Sequence, residues 1–428
     1  MRTSRFPVWR VSVPRSLMSF GLVVLACQQA WAVDPVSHDL PPAAVVRSLL
    51  ETAPAVSAAR HDLAASEAQA RQLRAGPHEW TVRGDVQQRT VRPENDRRYG
   101  EYAAAIERGM RIGGKAELDE RLGAAGQEVS RWALGDAQHE TARELLAMWF
   151  DWLRADAELA ARNLQHSLAA ELARVAEIRL RQGDAARLDL NLAQGAVAQA
   201  AAQLVSAEAR RDEIGAALDI RFPGLRPRSP VTLSDPADPA GAGVELETLL
   251  SRNHELAKAR ALSRQAMLVA QRADAGRMPD PVFGVRVASD KGGDERVLGF
   301  SVAIPLGGAA RAAASDSSLA MARSVAAQEA AVEARVRTDA RRTLTAVRSS
   351  YETWQRLQAA ARAQQTATDM QEKAWKLGEA SIADVLQARR TGDELQLAER
   401  LARIDALAAL HRARLDAHAL WDFDTDEQ

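Results

Sequence analysis

Arg181-Gln182-Gly183-Asp184-Ala185-Ala186-Arg187-Leu188-Asp189-Leu190 and Lys376-Leu377-Gly378-Glu379-Ala380-Ser381-Ile382-Ala383-Asp384-Val385-Leu386 are the same device used twice. In each, a basic residue closes a run of helix formers, a glycine turns the chain, and an aspartate follows six residues later near the start of a new helix. Upstream, Arg111-Ile112-Gly113-Gly114 answers to Pro305-Leu306-Gly307-Gly308. Further back, Leu49-Leu50, Ala59-Arg60 and Gly76 answer to Leu249-Leu250, Ala259-Arg260 and Gly276. A period of about 200 residues is too long for a solenoid repeat and indicates a duplicated unit whose halves pack as one body.

Each copy reads helix, strand pair, very long helix, return helix. No proline occurs between Pro93 and Pro223 or after Pro305. The first long helix is expected over 115–182 and the second over 309–377, with return helices over 186–218 and 381–421. A 68-residue helix spans about 100 Å. Residues 44–75 read as a shorter helix ended by Gly76-Pro77. Between the helices lie hairpins, expected over 79–110 and 282–304. There Trp80, Val82, Gly84 and Val86 alternate with Thr81, Arg83, Asp85 and Gln87, and Phe283, Val285 and Val287 alternate with Gly284, Arg286 and Ala288. Period two with one apolar and one charged face describes strands that separate two environments. The repeats are thus placed at 33–222 and 244–421, with a proline-rich connection at 223–243 and an acidic tail at 422–428.

With 56 basic and 57 acidic residues the chain offers no bulk charge for nucleic acid. Arg2, Arg5, Arg10 and Arg15, the apolar run Leu17–Ala26 and then Ala30-Trp31-Ala32 have the order of a signal peptide over 1–32. The rival reading of this segment makes Val24-Leu25-Ala26-Cys27 a loose lipobox that leaves Cys27 lipidated. Cleavage after Ala32 removes the chain's one cysteine, and with it disulfide and thiolate chemistry. No later stretch has 18 consecutive apolar residues, so any membrane span falls to the strands. Four strands cannot close a barrel without leaving backbone donors unpaired in hydrocarbon, so a barrel would be shared between subunits.

The order of elements, the paired Gly113-Gly114 and Gly307-Gly308 turns, and the two glycine tips resemble the outer-membrane factors of tripartite efflux systems, the TolC-like family. The resemblance covers essentially the whole chain after residue 32. It implies a mainly α fold with a small β part: long helical hairpins forming a periplasmic α-barrel, and four strands per subunit contributing to a trimeric 12-stranded outer-membrane β-barrel. It implies a homotrimer that meets outer-membrane lipid, a periplasmic adaptor and an inner-membrane pump of the RND type, with most of its mass in the periplasm. Asp384 matches a position whose carboxylate lines the periplasmic constriction, and Glu379 and Asp189 stand nearby on the tips. Gln387 replaces a second aspartate usual one turn on, and Ala380 replaces a usual basic residue. Gly183 and Gly378 are expected as tip turns open to an adaptor. The segment Met148-Trp149-Phe150-Asp151-Trp152-Leu153 resembles the heavy-metal cation efflux branch. Multidrug efflux, type I secretion and, from a different class, a periplasmic coiled-coil scaffold or adaptor are the alternatives.

Other motifs read as structural. Asp189 and Asp384 suit the positive end of a helix dipole whatever else they do. Gly109-Met110-Arg111-Ile112-Gly113-Gly114-Lys115-Ala116 nearly matches a phosphate-binding loop but lacks the Ser or Thr that holds magnesium, and the second copy has Ala309 in place of the lysine. His411 and His418 could share a helix face but lack a third ligand, so no metal site, no cofactor and no enzyme activity are expected.

Overall fold

The computed structural model describes residues 39–92, 97–227, 229–241 and 243–421. The expected signal peptide, Cys27 and the acidic tail lie outside the described residues. The elements come in the repeated order α1 (Ala43–Thr52), α2 (Pro54–Ala75), β1 (Thr81–Val91), β2 (Arg97–Gly109), α3 (Lys115–Gln182) and α4 (Arg187–Arg221), then α5 (Leu246–Ser251), α6 (His254–Ala275), β3 (Val282–Asp290), β4 (Glu295–Ala303), α7 (Ala309–Lys376) and α8 (Ile382–Asp416). All described residues belong to one contiguous unit. No described helix is long and apolar enough to cross a membrane.

Four helix limits differ from the sequence reading. The helix expected over 44–75 is broken at Ala53, whose extended backbone (φ −60°, ψ 133°) is what a residue before proline adopts, and Pro54 then opens α2, where its missing N–H costs nothing. The equivalent helix of the second copy breaks at Asn253, whose side chain accepts the Leu256 N–H at 2.8 Å. The return helix expected to reach 421 stops at Asp416. The His418 N–H there bonds back to Leu415 O at 3.0 Å and the Ala419 N–H to Arg414 O at 2.8 Å, closing the last turn. The α4 helix runs on past Leu218 to Arg221, just before Phe222-Pro223.

The long helices pack by sevens. Along α7 the buried positions include Ala340, Val347, Trp354, Ala361, Thr368 and Trp375, and along α4 Ala193, Ala200 and Ala207. A repeat of seven keeps one seam in contact only if the helices supercoil left-handedly. Alanine on these seams lets backbones approach closely. A Cβ built on Gly123 of α3 would lie 3.0 Å from both Cα and Cβ of Ala70 on α2.

The largest core sits mid-way along α3, where Ala142, Leu145, Leu146, Trp149, Phe150, Trp152 and Leu153 meet Val46 and Leu50 of α1, Leu218 of α4, and Ile404 and Leu407 of α8. Trp149 donates its indole N–H to Asp39 O at 2.7 Å, so this aromatic cluster is packing material. Among its described residues the proline-rich connection has no helix apart from one short 3₁₀ turn, Pro239–Gly241, and it lays Val231 and Leu233 on the same core.

Because Gly123 sits against Ala70, Gly123→Leu is expected to push α3 off α2 and cost about 2 kcal/mol. Denaturant unfolding of the purified protein measures this, and wild-type stability in the variant would mean that the seam is loose.

Candidate functional site

The strands form one sheet in the order β1-β2-β3-β4, antiparallel throughout. The pairing of β2 with β3 therefore joins the two repeats. Register aligns the apolar positions of the two hairpins into continuous rows: Val82 opposite Ile106, Ile106 opposite Val285 and Val285 opposite Phe300, and next to it Gly84, Ala104, Val287 and Leu298. Val82 is 75% exposed, Leu298 67% and Phe300 82%, so none of the described residues covers this face. The other face is polar. It carries an Arg83–Glu107 ion pair at 3.7 Å, and Glu101 there accepts hydrogen bonds from Arg89 at 2.8 Å and Gln87 at 2.7 Å. The outer edges of β1 and β4 have no strand partner among the described residues. A twisted sheet with one apolar face, one polar face and two open edges is an incomplete object.

A buried polar cluster fixes the sheet to the helices. Asp280, just before β3, accepts from Lys115 Nζ at 2.6 Å and from the Ile112 N–H at 3.2 Å, and bonds His78 Nε2 at 2.8 Å. Lys115 also donates to Met278 O at 2.5 Å. Arg111 bridges Leu73 O and Asp119 at 2.8 and 2.9 Å, and Arg272 meets Asp119 at 2.5 Å. The lysine of the near phosphate-loop motif is thus spent on holding one repeat to the other. Gly113 and Gly114 have left-handed backbones (φ 67° and 73°), which only glycine adopts without strain. Gly307 serves differently: a Cβ there would lie 2.8 Å from Arg277 O. Gly308 is extended at φ −149°.

At the opposite end, Gly183 and Gly378 turn the chain with φ 83° and 82°. Around them the Asp184 N–H bonds Arg179 O at 2.8 Å and the Glu379 N–H bonds Ala374 O at 2.9 Å. Both tip aspartates are engaged locally. Asp189 Oδ2 accepts the Ala186 N–H at 3.1 Å, and Asp384 Oδ2 accepts the Ser381 hydroxyl at 2.7 Å and its N–H at 3.2 Å. These are helix caps, and the Asp384 carboxylate is also exposed. Glu379 and Gln387 are exposed beside it, Gln387 donating to Thr391 Oγ1 at 3.4 Å. The two tips are locked together by Leu172, Ala176 and Ala193 against Trp375, Ile382 and Val385. Arg179 lies 4.4 Å over the Trp375 ring and donates to the carbonyls of Trp375 and Lys376, each at 3.2 Å.

The structure separates the two histidines paired in the sequence. His411 stacks on Phe150 at 5.8 Å, whereas His418 meets His139 and His254. Nothing in the spacing of 139, 254 and 418 marks them as neighbours.

No family model matches the sequence, and no curated protein matches it. Among solved structures the chain is similar to the outer membrane channel CmeC of Campylobacter jejuni (13% identity, TM-score 0.74, covering 90% of this chain and 86% of that one). It is also similar to the outer membrane protein VceC of Vibrio cholerae (15%, 0.71, 89% and 95%). A third match is the open state of the outer membrane channel MtrE of Neisseria gonorrhoeae (16%, 0.68, 89% and 90%). The fold is therefore that of the outer-membrane-channel structures, with long helical hairpins and a four-stranded sheet.

Burial alone would raise the Asp280 carboxyl, but its bonds to Lys115, His78 and the Ile112 N–H outweigh this and hold it down from 3.8 to about 2. A depressed carboxylate contributes stability that is complete above 3.8 and lost as pH falls through 2. Asp280→Asn should therefore flatten the loss of thermal stability between those pH values. Lys115→Met, which leaves the carboxylate buried without its ammonium, is expected to cost about 3 kcal/mol near neutrality. Calorimetry across pH checks both, and identical acid limbs for wild type and Asp280→Asn would remove this tie from the account.

Proposed function

We propose that the chain is one subunit of a homotrimeric exit duct in the outer membrane, the outermost component of a tripartite efflux pump, with most of its mass in the periplasm. The carrying observation is the sheet: an uncovered apolar face continuous over four strands, bounded by two open edges. In hydrocarbon such edges must be paired, and copies of the same sheet pair them, β4 of one to β1 of the next. Three copies give a twelve-stranded barrel with its apolar face to lipid and its ion-paired face to water. The helices, too charged for lipid, continue the pore into the periplasm.

At the far end Asp384, with Gln387, Glu379 and Asp189, lines the constriction. Three Asp384 carboxylates around a threefold axis favour cations over anions. Gly183 and Gly378 present the tip turns to a periplasmic adaptor, which links the duct to an inner-membrane pump of the RND type. The cargo proposed is heavy-metal cations, on the resemblance of the Met148–Leu153 segment. Since Trp149, Phe150, Trp152 and Leu153 are core residues, any selectivity they reflect belongs to the pump and adaptor that this body fits. The protein is a conduit and not an enzyme.

Two experiments divide the reading. An arginine in the middle of the apolar face, Phe300→Arg, should cost roughly 2–4 kcal/mol per subunit and abolish resistance of the membrane-bound protein to alkaline extraction. If wild type is itself released by alkali, the periplasmic scaffold replaces the duct. Deletion of the gene should sensitise the host to divalent metals, with rescue by wild type. Sensitivity confined to amphiphilic drugs would move the cargo to the multidrug class, and loss of a secreted protein would move it to type I secretion.

A further inference from the structure

His139 lies in α3, His254 is the first residue of α6, and His418 stands two residues beyond α8. Three elements thus bring together one ring nitrogen from each, all within 4.8 Å of one another. The His139 and His418 rings are nearly parallel at 5.1 Å, and the His254 ring stands perpendicular to His418 at 4.8 Å. His254 and His418 are buried. Leu415, Leu420 and Trp421 close the cavity between the rings.

Two backbone costs are accepted to seat these rings. His418 has a left-handed backbone, φ 55°, at the turn that ends α8. That is the position where glycine is customary, and a side chain there is strained. Gly135 lies inside α3, where glycine weakens a helix, and a Cβ on it would fall 3.1 Å from both Cε1 and Nε2 of His254. A third feature concerns orientation. His139 Nε2 lies 3.3 Å from Asp416 Oδ1, and Asp416 is itself held by Arg143 at 2.8 Å and Arg412 at 3.0 Å. A carboxylate that fixes one imidazole nitrogen leaves the other turned to a defined point, the usual arrangement behind a metal-bound histidine.

The geometry points to a resident transition-metal site at which His139, His254 and His418 bind a divalent ion, with water as the fourth ligand. An all-imidazole donor set suits zinc, copper or nickel and disfavours calcium and magnesium. Metal–nitrogen bonds of about 2.0 Å require the three nitrogens to draw in by roughly 1 Å, within reach of small side-chain rotations. Bound there, the ion would clip the start of α6 and the end of α8 to the middle of α3. The site is independent of cargo and stands whether the duct exports metals, drugs or proteins.

The test uses the full-length chain, purified without a histidine tag, stripped with chelator and titrated with zinc sulfate by calorimetry. One Zn²⁺ per chain is expected at micromolar or tighter affinity, with a rise in melting temperature and an X-ray absorption spectrum of nitrogen and oxygen neighbours containing three imidazoles. His418→Gly restores the residue that the turn prefers. It should therefore fold with metal-free stability at or above wild type while its zinc affinity falls at least 100-fold. His139→Gln should lose affinity equally, which keeps the test decisive if either variant folds poorly. No binding by wild type, or equal binding and equal thermal response in both variants, would overturn the site.

Discussion

The pairing of β2 with β3 is the contact on which the rest of the molecule depends. It is the only strand pairing among the described residues that crosses from one repeat to the other, and it sets the register that turns two amphipathic hairpins into one surface. A slip of one residue there would put Ile106 opposite a polar-face residue and break every apolar row at once. The buried Lys115–Asp280 ion pair sits at the end of this pairing and holds the same register from the helical side. Sheet and helices are therefore aligned by one joint.

Away from the joint the structure is held by repetition. Alanine-rich seams spaced by sevens gain little per residue, since alanine buries few carbon atoms, but they run along helices of 68 residues. Large side chains are concentrated where geometry changes: tryptophans and leucines mid-way along α3, and Trp375 at the tip. Alanine-rich helices of this kind leave much surface uncovered, as the proposed assembly of copies requires.

Much of this was legible in the sequence. The proline-free runs located α3 and α7, and strict alternation located the strands and their two faces, because both signals are local. The break at Pro54 is equally local, but its signal is a single proline within a stretch of strong helix formers. The early stop of α8 had no such signal, since the turn that ends it uses a histidine in place of glycine. Long-range partners were not readable. Lys115 resembled part of a phosphate loop until Asp280, 165 residues away, was beside it. The capping role of the tip aspartates was legible from the start, because a carboxylate near the start of a helix suits its positive end. The histidine cluster was invisible because its members come from three elements with no common period.

The tie between Lys115 and Asp280 also bears on ancestry. Duplication produces two equal copies, but this bond takes its ammonium from the first and its carboxylate from the second, and Ala309 stands where the second copy would need a lysine. Each half now carries one side of a contact that it cannot make with a duplicate of itself. A gene reduced to either repeat, even if its product assembled in twice the number, would bury an uncompensated charge at every joint.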